Sequence, residues 1–109
     1  MRTKKASEGK NDAALESLRA EIDECDSQII RLLARRLDAV RKIGKYKAIN
    51  KLPVFDKARE AKLLADRKRQ AAATANYSVE KIFKLLIEES RQIQDKMREN
   101  LNLGKQNDY

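Results

Sequence analysis

The chain contains no histidine and no tryptophan, and only one cysteine, one proline and three glycines among 109 residues. Without histidine, neither imidazole general-base chemistry nor histidine metal ligation is open to it. A lone Cys25 cannot close an intrachain disulfide, so nothing calls for an oxidising compartment. Its setting, Ile22-Asp-Glu-Cys25-Asp, places it on an apolar stripe, where it reads as a small buried hydrophobe and not a reactive thiol. No apolar run of about 18 residues is present for a membrane span, and no apolar core of a secretory leader. The expectation is a cytoplasmic protein that makes no membrane contact. So few glycines and prolines also disfavour a sheet, which needs turn residues every few positions.

What is abundant is charge. Charged residues make up 39% of the chain and hydrophobic ones 41%, a balance that suits long helices with solvated outer faces. The net charge of +8 raises the possibility of a nucleic-acid surface. Yet the cations are interleaved with acids, as in Asp66-Arg67-Lys68-Arg69, and no run of five or more like charges occurs. The same balance suits an anionic small-molecule substrate.

Residues 1–12 are polar and without periodicity, and read as a disordered tail or linker. From Ala13 to about Ile49, Leu15, Leu18, Ile22, Cys25, Ile29, Leu32, Ala39 and Ile43 recur at three- and four-residue steps, the mark of an amphipathic helix. Some 37 residues would make a rod of roughly 55 Å, too long for a compact monomer of this size. The rod therefore predicts a second copy lying against it, which also suits a chain with so few large apolar residues. Pro53 ends this helix. Asp56 is a plausible N-cap for a second helix from about Lys57 to Ala73, and Asn76 or Ser78 for a third to about Asn100. Residues 101–109 read as a frayed end. The predicted architecture is all-α, three helices per chain in an intertwined homodimeric bundle, with residues 13–100 as one domain and no internal repeat.

Polar residues interrupt the apolar faces. On a wheel of about 100° per residue with Leu15 at zero, the first helix's stripe centres near 320°; Arg36 and Lys47 fall inside it and Arg19 on its shoulder. An inward cation needs an anion, either an internal acid such as Asp26 or a ligand. In the second helix, Arg59 and Glu60 share a face with Leu63, one turn after Asp56. In the third, Ser90 and Gln94 lie on the stripe of Leu86, Ile87, Ile93 and Met97. One small polar pocket accounts for all of these, and its cations outnumber the acids Asp56 and Glu60, which favours a ligand with about two negative charges. Arg19 and Arg36 stand roughly 25 Å apart along the rod, so both can serve one ligand only if an antiparallel second chain supplies its Arg19.

The pattern Leu15-x-x-Leu18-Arg19-x-x-Ile22-Asp23-x-x-Asp26, then Leu32-Leu33-Ala-Arg-Arg36, Ile43-Gly44-x-x-Lys47, Pro53-Val54-x-Asp56-x-x-Arg59-Glu60 and Ile87-Glu-Glu-Ser90-x-x-x-Gln94 resembles the all-helical chorismate mutases from about Leu15 to Met97. Each motif alone is weak; their order and spacing together are specific. The resemblance implies rearrangement of chorismate to prephenate in aromatic amino acid biosynthesis, with no metal or cofactor. It implies that Arg36, Arg59 and the partner's Arg19 grip the carboxylates. Lys47 and Gln94 would donate to the ether oxygen, Glu60 with Asp56 would hold the ring hydroxyl, and Ser90 would line the carboxylate end. Plainer roles stand beside these: Asp56 as a cap only, Ser90 as a core-facing hydroxyl, Glu60 as a salt-bridge partner of Arg59 or Lys47. Two rival functions are an isochorismate-pyruvate lyase of the same fold and a helical dimerisation or nucleic-acid-binding module. The latter gives no reason for Arg36, Lys47, Ser90 and Gln94 to face inward.

Overall fold

The computed structural model describes residues 5–107, with side chains described for residues 12–73 and 75–102. Three α-helices account for nearly all of them: α1 Lys5–Ile49, α2 Lys57–Gln70 and α3 Asn76–Asn107, with a 3-10 turn at Ala73–Ala75. No strand occurs among the described residues. The predicted all-α class and the three helices therefore stand. Their outer bounds do not: α1 begins at Lys5, eight residues before the expected Ala13, and α3 runs on to Asn107 instead of fraying after Asn100. Residues 1–4 and 108–109 of the expected tails lie outside the described residues.

The chain divides into two packing units, Met1–Arg36 and Leu37–Tyr109. In the first, α1 carries its apolar stripe uncovered: Leu18, Ile22, Ile29 and Leu32 are each 57–60% exposed. Cys25, expected to be buried on that stripe, is exposed too.

The second unit holds the end of α1, the two shorter joints, α2 and α3. The end of α1 is a Schellman arrangement. Leu52 N–H donates to the Lys47 carbonyl at 2.8 Å and Lys51 N–H to that of Ala48 at 3.4 Å, while Lys51 takes φ 57°. Pro53 follows, where the helix cannot resume. Asp56 then caps α2: its backbone is extended and its side chain accepts from Arg59 N–H at 3.0 Å. At the far end Arg67, Lys68 and Arg69 oppose the helix dipole. Asn76, one of the two residues expected to cap α3, has another partner: its Nδ2 donates to the Lys68 carbonyl at 2.8 Å, an acceptor at the end of α2 that also receives Ala71 N–H at 3.3 Å. That bond and the Lys68–Glu80 ion pair at 3.5 Å fasten the end of α2 to the beginning of α3.

Among the described residues of this unit, Val40 and Ile87 are the buried hydrophobic ones, and Ser90 and Gln94 are buried to a similar degree. Gly44 is buried as well, and explains how α1 comes close to α3. A Cβ built on it would lie 3.2 Å from Gln94 Cγ, 3.3 Å from Met97 Sδ and 3.4 Å from Gln94 Cα. No larger residue fits that approach without displacing Gln94 or Met97.

Candidate functional site

Within the second unit the expected site residues divide between three places. Lys47, near the end of α1, is half-buried, and its Nζ donates to the Val54 carbonyl at 3.0 Å. The ammonium is thereby held over the turn that leads into α2, with two of its three donors still available. At the start of α2, Asp56 serves as the cap and Arg59, bonded to it through its backbone, has an exposed side chain. Glu60 is half-buried one residue further on.

The third place is α3, which brings Ser90 and Gln94 to its buried face. Ser90 Oγ donates to the Leu86 carbonyl at 2.7 Å, a back-bond of the kind that lets a hydroxyl sit inside an apolar stripe. Gln94 is 7% exposed, and its Oε1 is fully buried yet makes no hydrogen bond within the chain. A buried amide oxygen in that condition carries a desolvation penalty of roughly 1–3 kcal/mol. Exchanging the two ends of the amide would present Nε2 in the same place, so the side chain can offer either a donor or an acceptor to a ligand. Among the described residues it is the buried side-chain polar atom without a hydrogen bond.

Glu60 has the partner that sequence reasoning missed. Neither Arg59 nor Lys47 pairs with it. Arg91 of α3 grips it with both arms, Nη2 to Oε1 at 3.0 Å and Nε to Oε2 at 3.1 Å. The same guanidinium lies over the Phe55 ring, 4.8 Å from its centre. Hydrogen bonding to Glu60 raises the Arg91 pKa above its ordinary value, against a smaller opposing effect of desolvation. The signal was present in the sequence: Ile87, Ser90, Arg91 and Gln94 stand at i, i+3, i+4 and i+7, one helical face. Glu60, Arg91, Phe55, Lys57, Leu64 and Ile87 line an open groove of about 300 Å³ between α2 and α3.

Two expected residues belong to the first unit. Arg36 is half-buried. Arg19 is largely exposed and pairs with Glu16 one turn away at 3.1 Å. Such an exposed i, i+3 pair contributes little to stability and is easily exchanged for a stronger anion. Among the described residues, no cluster of three or more histidine, cysteine, aspartate or glutamate side chains is placed to hold a metal ion. Among them, too, no helix is long and apolar enough to cross a membrane.

Lys47 near the end of α1, the Glu60–Arg91 pair joining α2 to α3, and the Gln94 amide on α3 are thus polar groups that this unit partly or fully buries. Residues 18–95 match the family described as chorismate mutase type II. The chain is also similar to T-protein of Enterobacter agglomerans, 41% identical over 61 residues, covering 56% of this chain and 16% of that protein. T-protein of Haemophilus influenzae is 41% identical over 58 residues, covering 53% of this chain and 15% of that protein. The chain thus spans only a small part of the length of these relatives. The family match takes in α2, most of α1 from Leu18 and α3 as far as Asp95, including every residue from Arg19 to Gln94 discussed above, and the chain belongs to the type II chorismate mutase family.

Proposed function

We propose that the chain converts chorismate to prephenate and does so as a homodimer. The observation that carries the reading is the buried Gln94 amide with no hydrogen bond at Oε1, on the same face of α3 as Ser90 and pressed against Gly44 of the family-matched segment.

The rearrangement breaks the ether C–O bond and forms a C–C bond between the enolpyruvyl group and the ring, with no proton transfer and no covalent intermediate. A site with neither histidine nor a nucleophile is adequate to it. Two tasks remain for the protein. One is to hold the flexible enolpyruvyl group over the ring, an orientation effect that removes part of the barrier before the chemistry begins. Arg36, Arg59 and the partner's Arg19 do this by gripping the two carboxylates, with Ser90 at the carboxylate end. The other is to stabilise negative charge as it grows on the ether oxygen. Lys47 and the Gln94 amide donate to that oxygen, and both interactions are stronger in the transition state than in the ground state. Glu60, with Asp56, accepts from the ring hydroxyl.

The second copy covers the apolar stripe of α1. Leu18, Ile22, Ile29 and Leu32, exposed in the single chain, are the side chains it buries. Cys25 then becomes a packed hydrophobe on that stripe.

Mixing two variants tests the dimer and the shared site together. Arg19→Ala and Arg36→Ala homodimers should both be inactive. A refolded equal mixture should recover about a quarter of wild-type turnover, because half the dimers are mixed and each has one intact site of two. No recovery, with mixed dimers shown to form, would contradict the donation of Arg19 across the interface.

A further inference from the structure

Arg91 is the strongest feature that the proposed roles leave unused. Its guanidinium is committed along one edge and on one face: Nε and Nη2 donate two hydrogen bonds to Glu60, and the plane lies over the Phe55 ring. The pair joins residues 31 positions apart on different helices, so it is not the routine neighbour pairing of one helix face. Both partners are shielded, with side chains 35% and 23% exposed. A two-pronged arginine fixes the plane of a carboxylate as well as its position, which a lysine cannot do. It occupies one lone pair of each carboxylate oxygen and leaves the outer pair on each to accept from something else.

We propose that Arg91 is a positioning residue of the chorismate site, locking Glu60 in one orientation so that its outer lone pairs accept the ring hydroxyl. The assignment rests on the mutase reading. Arg91 does not itself touch the substrate; it acts through Glu60, and Phe55 in turn keeps the guanidinium flat against the groove between α2 and α3. Selection for a ring bearing a hydroxyl at this position follows, because an acceptor fixed in place discriminates against a ring that has no donor to offer.

The test compares chorismate with an analogue in which the ring hydroxyl is replaced by hydrogen, using the full chain and the variants Arg91→Met, Arg91→Lys and Glu60→Gln. Arg91→Met should lower kcat/KM for chorismate by about tenfold, the worth of one charge-assisted hydrogen bond made loose, chiefly through KM. For the analogue it should change little. Arg91→Lys, which keeps the charge and loses the fork, should fall between. Arg91→Met combined with Glu60→Gln should be no worse than Glu60→Gln alone. Far-UV circular dichroism checks that each variant folds, and Arg91→Lys carries the test if Arg91→Met does not. Equal losses on both substrates, or no loss on chorismate, would overturn the role of Arg91 while leaving the mutase intact. Absence of any chorismate turnover by the wild-type chain would bring down the mutase reading, and this role with it.

Discussion

Replacing Gly44 with alanine sets two effects against each other, and the structure allows each to be sized. In the interior of α1 alanine is the better helix former by about 0.8–1 kcal/mol. Against that, the new methyl group would sit 3.2 Å from Gln94 Cγ and 3.3 Å from Met97 Sδ, closer than carbon and sulfur normally pack, and 3.4 Å from the Gln94 backbone. Overpacking of this kind costs roughly 1–3 kcal/mol. Met97 is flexible and can turn aside, but Gln94 is buried and must shift by a few tenths of an ångström. Stability should therefore drop only modestly, by about 1 kcal/mol, since the helix gain offsets part of the strain. Catalysis should suffer more. On the proposed role of Gln94 as a donor to the ether oxygen, displacing it by a fraction of an ångström should lower kcat by about three- to tenfold, given that a 1 Å misplacement can cost a hundredfold. Steady-state chorismate assays and thermal unfolding at one fixed protein concentration measure the two quantities separately. Unchanged kcat together with a higher Tm would refute the placement of Gln94 against α1.

Three further expectations concern the joints and the uncovered stripe. Asp56→Ala removes the side-chain acceptor for Arg59 N–H and should destabilise the chain by about 1 kcal/mol, read from denaturant unfolding. Lys51 holds a positive φ that glycine adopts freely, so Lys51→Gly should stabilise by about 0.5–1 kcal/mol; a loss of stability would argue against the Schellman turn. Ile29→Lys puts a charge at the centre of the exposed α1 stripe and should shift sedimentation from dimer to monomer with loss of activity, whereas an unaltered dimer would place the interface elsewhere.

The sequence made some elements legible because local chemistry decides them. Asp56 caps α2 as its position after Pro53 suggests, and Ser90 and Gln94 are buried because they share a 3.6-residue stripe with Ile87. The start of α1 was harder to see. Hydrophobic periodicity detects a helix only where it has a face to bury, and Lys5–Asp12 carries helix-compatible residues but no apolar stripe. Asn76 had the right residue type for a cap, but what it satisfies is a carbonyl of α2 eight residues earlier. Arg91 was overlooked for a related reason. Its partner lies 31 residues away, and only the packing of α3 on α2 makes them neighbours. Cys25 and the α1 stripe show the converse: the pattern identifies a face to be covered, and in the single chain that face is open.

The most direct measurement is the conversion of chorismate by the purified wild-type chain, followed by loss of its absorbance and by identification of prephenate, alongside Lys47→Met. The account predicts rapid conversion by the wild type. It predicts a fall in kcat of about a hundredfold or more in the variant, as for removal of one donor to a developing oxyanion, with little change in KM. A folded, dimeric wild type that leaves chorismate unchanged would contradict it, as would a Lys47→Met variant with full turnover.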